Sequence, residues 1–284
     1  MANARDVIDL FLTDDENRAK ELAAQLDALN HERQEAEAAI IEQILRKCEN
    51  VPVSDEVAAL VFAEPGWHLG VVGIVASRLV ERFARPVFVL SNAAEEGYFS
   101  GSGRSIPAFH LLEALESMAE LFPKFGGHRQ AAGLTISSSD IETFRRRFND
   151  YARQCLTPDD MRPQYQADAD ASLADLTEIA VTQIFGLAPF GFGNPAPVFR
   201  AEQVEVAGEP RVLKEGKHLR LPLRQRKRTL SFKAWKFGDR ATLFEKGQPL
   251  DILFTLEDDP GARSRGYDGW SPSLKDARPA GASN

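Results

Sequence analysis

The segment at residues 189–197, Pro-Phe-Gly-Phe-Gly-Asn-Pro-Ala-Pro, most restricts how this chain can fold. Its prolines and glycines disfavour both a regular helix and a regular strand. Helices alternate with strands in the pattern before this segment, whereas the pattern after it contains only short strands. We therefore predict a domain junction here, in a chain of 284 residues that is long enough for two modest domains and a connecting element.

Residues 14–49 predict one long helix with a single apolar stripe. The stripe recurs at steps of three, four or seven, at Leu22, Leu26, Leu29, Ala36, Ile40 and Ile44. Thr13 is the predicted N-cap, and Asn50 and Pro52 end the helix. Arg33 falls on the stripe, where it needs a buried partner. Because charges cover the other sides, we expect this helix to connect or brace domains.

The next region predicts a mixed α/β sheet, because short apolar strands alternate with helical segments. The predicted strands are residues 57–63, 86–90, 98–102 and 132–136. The predicted helices are residues 71–83, 107–121 with Pro107 in the first turn, and about 140–154 with Ser139 as cap.

The last third of the chain predicts a small antiparallel barrel. Its predicted strands are residues 198–206, 218–224, 229–237, 250–257 and 273–278, with a loose loop at 258–272. Residues 200–240 contain 12 basic and 5 acidic residues, a net charge of +7, which leaves −15 for the rest of the chain. A basic region in an acidic protein indicates a polyanionic partner, and a solvated sheet face is the alternative.

Composition excludes several other classes of protein. No apolar run approaches the roughly 18 residues that cross a bilayer, so no membrane partner is expected. The charged N-terminus does not have the pattern of a signal peptide. Cys48 and Cys155 form neither a disulfide framework nor a CxxC motif, so we expect a cytoplasmic protein.

The first candidate site is the segment at residues 125–133, Phe-Gly-Gly-His-Arg-Gln-Ala-Ala-Gly, which we interpret as a phosphate-contacting loop. Gly126 and Gly127 allow the backbone to approach a ligand and to turn its N–H groups toward an anion. His128 can donate to a phosphate or act as an acid. A tight turn leading into a strand is the alternative interpretation.

Two shorter motifs are further candidates. In the segment Gly101-Ser102-Gly103-Arg104-Ser105, Ser102 and Arg104 project to the same side of an extended chain, where they can bind a terminal phosphate. A polar turn is the alternative. Trp67 and His68 lie between a strand and a helix N-terminus, which favours anions. A core tryptophan and a turn histidine are the alternative there.

The fourth candidate is the basic surface of the barrel, because small barrels bind single strands through backbone charge and base stacking. Its basic residues are Arg220, Arg224, Arg226, Lys227, Arg228, Lys233 and Lys236, interspersed with Phe232, Trp235 and Phe237. Phe232 and Trp235 are an odd number of positions apart, so on a regular strand only one of them can face the bases.

Metal-ligand patterns are absent from the sequence: it contains no HxH, HExxH or Asp-His-His motif. The acidic pairs Asp159-Asp160 and Asp168-Ala169-Asp170 are interpreted as turn or cap residues.

In their order, these motifs resemble the RecJ family of single-strand-specific 5′→3′ exonucleases, within the DHH phosphoesterases. The matching segments are residues 26–34, 66–78, 101–105, 126–133, 190–199 and 276–279. The resemblance implies a long linking helix at residues 1–52, a DHHA1 domain at 53–157, a connector at 158–195 and an OB-fold nucleic-acid-binding domain at 196–284.

The resemblance also implies the chemistry, in which metal-activated water attacks a phosphodiester. Mn²⁺ or Mg²⁺ would be held by a DHH catalytic domain, which we expect to be missing here, leaving no metal ligands in this chain. Ser102 and Arg104 resemble the contacts to the 5′-phosphate, and Gly127 and His128 resemble those to the phosphate near the metals, with His128 in a supporting catalytic role. Gly126 is also assigned to substrate binding. The other residues assigned to substrate binding are Trp67, His68, Arg78, Arg220, Arg224, Arg228 and Lys233.

Single-stranded DNA is the expected partner, with the DHH domain in trans and a single-strand-binding protein or a helicase as further partners. Two other hypotheses stay open. One is a stand-alone single-strand-binding or regulatory module without catalysis. The other is a small-substrate DHH relative, such as an oligoribonuclease, or the DHHA1 tail of an alanyl-tRNA synthetase; the basic barrel counts against it.

Overall fold

The computed structural model describes residues 3–50, 56–93, 95–213, 216–259, 261 and 269–281. The chain divides into two compact units, Met1–Gln164 and Tyr165–Asn284, so residues 165–195 are grouped with the barrel. Pro52 and most of the predicted loop at 258–272 lie outside the described residues.

The predicted long helix is confirmed as α2 (Glu16–Asn50), but a separate helix, α1 (Ala4–Leu12), precedes it, so the linking segment is not a single helix. The prediction of Thr13 as N-cap is wrong. The Asp15 carboxylate caps the helix instead, accepting the backbone N–H groups of Asn17 at 2.9 Å and Arg18 at 3.3 Å. Thr13 ends α1, because its backbone N–H still donates to a carbonyl of that helix.

The first unit is built on a mixed five-stranded sheet, as predicted, in the order β1-β2-β3-β5-β4. Its strands are β1 (Leu60–Ala63), β2 (Val87–Asn92), β3 (Tyr98–Arg104), β4 (Lys124–Gly127) and β5 (Ala131–Ser137). Its other helices are α3 (Leu69–Phe83), α4 (Leu111–Glu116) and α5 (Ile141–Cys155). Among the described strands of this sheet, only β1 and β2 pair in parallel. One apolar core joins a sheet face to α3 and α2, and a second joins the other face to α4 and α5.

Two predicted helix starts in this unit are wrong. Pro107 does not open a helix, since α4 begins at Leu111 with His110 as its N-cap. The His110 imidazole supplies the capping acceptor, with Nδ1 3.2 Å from the backbone nitrogen of Glu113. Ser139 is not the cap of α5, which begins two residues later and has no side-chain cap.

The second unit contains the predicted barrel. Its elements are β6 (Ala169–Asp170), α6 (Glu178–Phe185), β7 (Phe199–Val206), β8 (Arg211–Leu213), β9 (His218–Gln225), β10 (Arg228–Ala234), β11 (Pro249–Asp258) and β12 (Trp270–Pro279). The order is β6-β7-β11-β12-β10-β9-β8, and pairing of β7 with β9 closes the barrel. The barrel is not wholly antiparallel, because β10 and β12 pair in parallel.

Residues 189–197 contain no helix or strand, as predicted, and a single isolated bridge joins Gly191 to Asn194. Among the helices that the structure describes, none has the length and apolar character needed to cross a membrane.

Candidate functional site

Ser102 and Arg104 lie side by side on β3, in the middle of the sheet. Ser102 is paired with Val89 and Arg104 with Val87. Both valines belong to the core formed with α3, and directly paired residues share a face of the sheet. Ser102 and Arg104 therefore share one side of β3, as their spacing predicted, and this side is the one that faces α3.

Gly73 of α3 provides the space for these two side chains. A Cβ atom at Gly73 would lie 3.2 Å from Nη2 of Arg104 and 3.6 Å from Oγ of Ser102. The half-buried guanidinium is oriented by a 2.9 Å hydrogen bond from Nη1 to the carbonyl of Gly103. Because a guanidinium has five N–H donors, this bond leaves others for a ligand.

The predicted loop at residues 125–133 is a β-hairpin, made of β4, a turn at 128–130 and β5. Gly126 pairs with Gly133, which in turn pairs with Ser102, so the glycines extend the Ser102 row across the sheet. The backbone N–H of His128 donates to the carbonyl of Ala131 at 2.8 Å and closes the turn. Contrary to the prediction, this N–H is therefore used inside the hairpin and is not directed toward an anion. The His128 side chain, in contrast, is exposed.

These strands form a surface that we call the open sheet face. It consists of eight of the residues on the Ser102 side of three strands, namely Ser100, Ser102, Arg104, Lys124, Gly126, Ala131, Gly133 and Thr135. Part of it is a shallow depression of about 400 Å³. β3, β4 and β5 contain no acidic residue, and their basic residues are Arg104 and Lys124. The face therefore carries two separate positive charges among small side chains.

Lys124 was missed in the sequence. Strand periodicity could have identified it, because Lys124 lies two positions before Gly126 and so on the same face. Interpreting residues 125–133 as a loop concealed that relation.

Trp67 and His68 have structural contacts in this unit. Trp67 is buried, and its Nε1 donates to Oε1 of Gln43 on α2 at 2.8 Å. His68 is the N-cap of α3, and its Nδ1 accepts the backbone N–H of Gly70 at 3.0 Å. These contacts agree with the core and turn interpretation of the two residues. Their assignment to substrate binding stays a prediction.

Arg78 joins α3 to α2. It contacts Glu81 and Glu37 at 3.3 Å each, and Glu37 also binds Arg33 at 2.8 Å. The hydrogen bond to Glu81, followed by that to Glu37, raises the pKa of Arg78 above its ordinary value. Arg33 thus has the partner that its place on the apolar stripe required, and Arg78 helps to hold the two helices together.

The basic residues on β9 and β10 differ in how far acids neutralise them. Arg220 and Arg224 alternate with buried leucines and so lie on the outer face of the barrel. Arg224 binds Glu205 at 2.8 Å. The Lys233 side chain is only 15% exposed and lies 3.1 Å from Asp259. Of these three, Lys233 is the least available to a nucleic acid.

The turn between β9 and β10 carries exposed basic residues. Arg226, Lys227 and Arg228 line a groove of about 720 Å³ together with residues 174 and 176–178. Among the aromatic residues nearby, Phe232 and Phe237 are buried, while Trp235 is 42% exposed beside exposed Lys236. Phe232 lies on β10 and Trp235 just beyond its end at Ala234, so their opposite orientation on one regular strand stays a prediction; of the two, Trp235 is the exposed one.

No metal site is formed by the part of the chain that the structure describes, which contains no suitable group of three or more His, Cys, Asp or Glu residues. Asp159 and Asp160 lie in a turn, as predicted. Asp168 and Asp170 do not: Asp168 accepts the backbone N–H of Val198 beside β6, and Asp170 binds Arg200. Engaged in these contacts, Asp168 and Asp170 do not fit a divalent metal site.

Two domain families match the chain: the DHHA1 domain at residues 55–154 and the RecJ OB domain at residues 167–260. The single-stranded-DNA-specific exonuclease RecJ of Bacillus subtilis is 34% identical over 250 residues, covering 88% of this chain and 32% of that protein. RecJ of Escherichia coli is 37% identical over 210 residues, covering 70% of this chain and 36% of that protein. The chain spans about a third of the length of these curated relatives.

Solved structures agree with these matches. The crystal structure of RecJ from Thermus thermophilus in complex with Mg²⁺ has a TM-score of 0.74 and 28% identity, and covers 98% of this chain and 41% of its own. The structure of that protein with Mn²⁺ also has a TM-score of 0.74, at 30% identity. The predicted fold, a DHHA1 sheet with an OB barrel and a long helix, is confirmed.

Proposed function

Since the chain belongs to the RecJ family and corresponds to its C-terminal part, we propose that it binds the 5′ end of single-stranded DNA. The open sheet face of the DHHA1 unit binds the terminal phosphate, and the OB barrel binds the strand through its basic residues and Trp235. In a complete protein these surfaces serve a 5′→3′ exonuclease. The chain covers about a third of such relatives, so this activity is proposed for the whole protein.

One observation carries the proposal: Ser102 and Arg104 lie together on a face whose strands contain no acid. A phosphate there accepts hydrogen bonds from both the hydroxyl and the guanidinium, whose planar N–H groups match two phosphate oxygens. Because the guanidinium is half-buried and already oriented by its hydrogen bond to Gly103, the Arg104 side chain loses little conformational entropy when a phosphate binds. Hydrogen bonds to charged groups contribute about 1.5–3 kcal/mol, which corresponds to roughly tenfold to a hundredfold in affinity.

We expect Arg104→Ala to remove the preference for a 5′-phosphate. Fluorescence anisotropy with one labelled oligonucleotide, bearing either a 5′-phosphate or a 5′-hydroxyl, measures this preference. The unmodified chain should bind the phosphorylated strand at least about tenfold more tightly, and the variant should bind both equally. Arg18→Ala, which removes an exposed arginine of α2, is the matched control. A variant that keeps the preference would refute the proposal.

We also expect the purified chain to bind single-stranded DNA in Mn²⁺ without hydrolysing it, because the described part offers no metal-ligand group. Gel analysis of an end-labelled oligonucleotide measures this. Release of nucleotides by the chain, abolished by His128→Ala, would show instead that these residues support hydrolysis.

A stand-alone binding module is the second candidate function. The exposed basic turn at Arg226, Lys227 and Arg228 favours it, because such a surface binds any single strand with strong salt dependence. Equal affinity for both 5′ ends in the unmodified chain would support this alternative.

On the family resemblance we further propose a DHH domain acting in trans, and a single-strand-binding protein or a helicase, as partners. Co-purification of each with this chain tests them. Mn²⁺ or Mg²⁺ is proposed as the metal of the whole protein, and the cytoplasm as its location.

A further inference from the structure

Lys124 lies on the open sheet face at a distance from the terminal-phosphate site. Three rows of paired residues cross this face: Arg104 with Ala131, then Ser102 with Gly133 and Gly126, then Ser100 with Thr135 and Lys124. Spacings of about 4.8 Å between strands and about 3.3 Å per residue put the Cα atoms of Arg104 and Lys124 roughly 16 Å apart. Both side chains are long, so their charges can approach closer than that.

The direction of the Lys124 side chain is fixed by its neighbour. Phe125 points to the opposite face of the sheet, where its ring packs 5.7 Å from that of Phe122. Lys124 therefore points to the open side, and it is one of the residues that line the depression there. It is exposed, and within the described part of the chain no carboxylate pairs with it. Its charge is available to an anion.

The floor between the two cations is nearly free of side chains. A Cβ atom at Gly126 would meet nothing within 4 Å, and one at Gly133 would meet only the carbonyl of Gly101, at 3.4 Å. Beside them, the hydroxyls of Ser100 and Thr135 are bonded to each other at 2.8 Å. A flat floor of this kind has room for a sugar or a base lying between two phosphates.

From this arrangement we infer that Lys124 binds an internucleotide phosphate, one or two linkages from the 5′ end of the strand. The inference rests on the proposed function, since the terminal phosphate at Ser102 and Arg104 sets the register. The intervening nucleotide lies over Gly126 and Gly133. Lys124 acts as a single charge without bidentate geometry, so it contributes to affinity without reading the base.

The test combines Lys124→Ala with 5′-phosphorylated oligonucleotides in which one internucleotide phosphate is replaced by an uncharged methylphosphonate, at the first, second or third linkage. We expect Lys124→Ala to bind the unmodified strand about fivefold more weakly, as for loss of one exposed ion pair. In the unmodified chain, a methylphosphonate at the first or second linkage should cost a similar factor. In the variant, the same methylphosphonate should cost nothing more, because the two changes remove one contact.

Lys20→Ala, at an exposed position of α2, is the control and should leave every affinity unchanged. The inference would be overturned if the affinity losses caused by Lys124→Ala and by the methylphosphonate multiplied at all three linkages. It would also be overturned if Lys124→Ala bound the unmodified strand as tightly as the unmodified chain. The preference of Lys124→Ala for a 5′-phosphate over a 5′-hydroxyl should be preserved. The two proposals can therefore be refuted separately. The 5′-phosphate preference of Arg104→Ala tests the terminal-phosphate site, and the methylphosphonate series with Lys124→Ala tests the Lys124 site.

Discussion

Replacing Gly127 with alanine should destabilise the first unit by about 2–4 kcal/mol, whereas the same change at its neighbour Gly126 should cost less than about 1 kcal/mol. Gly127 has a φ of +154°, which L-residues rarely adopt. A Cβ atom there would lie 2.4 Å from the carbonyl oxygen of Ala131 and 2.5 Å from Cα of Ala132. Both contacts are with backbone, so the hairpin has to open to relieve them.

The two neighbours form a matched pair because a Cβ atom at Gly126 would enter open space. Hydrogen exchange measured by mass spectrometry on peptides of the first unit reports the effect. Exchange in β4 and β5 should accelerate in Gly127→Ala, while peptides of the barrel should serve as an internal reference. Equal protection in the two variants would mean that the hairpin tolerates a side chain at residue 127 and that its geometry is not set by this glycine.

The relation of Ser102 to Arg104 could be predicted from the sequence because it depends only on the two-residue repeat of a strand. The relation of both to Gly126 could not. It depends on the register between β3, β5 and β4, which long-range pairing sets. Glycines have a low preference for strands, so local pattern favoured a loop at residues 125–133. Pairing with β5 outweighs that preference and places the glycines on the floor of the site.

The contacts of Trp67 and Arg78 show a second limit of sequence reasoning. The indole binds Gln43, 24 positions earlier in the chain, and the guanidinium binds Glu37, 41 positions earlier. An isolated motif next to a helix N-terminus cannot reveal that another helix already contacts these side chains. The same applies to Lys233 and Asp259, which β10 and the residue after β11 bring together on either side of β12.

Replacing Phe88 with alanine should have the largest effect, a loss of about 3–5 kcal/mol from the stability of the first unit. Phe88 of β2 is fully buried, and its ring lies edge-on to Phe144 and Phe148 at 5.4 Å each. The ring also lies beneath Gly103, where a Cβ atom would come within 2.5 Å of it. Phe88 thus supports the strand segment that carries Ser102 and Arg104 on its other face.

Because of that support, Phe88→Ala should also weaken the 5′-phosphate preference in the population that remains folded, although Phe88 touches no ligand. Phe254→Ala is the matched control: Phe254 is equally buried in the barrel, and its loss should destabilise the second unit while leaving the preference intact. Hydrogen exchange separates the two stability effects, and anisotropy with the two 5′ ends measures the preference. If Phe88→Ala lowered stability but kept the preference, Ser102 and Arg104 would be positioned by α3 and Gly73 alone, and the aromatic core would serve only stability.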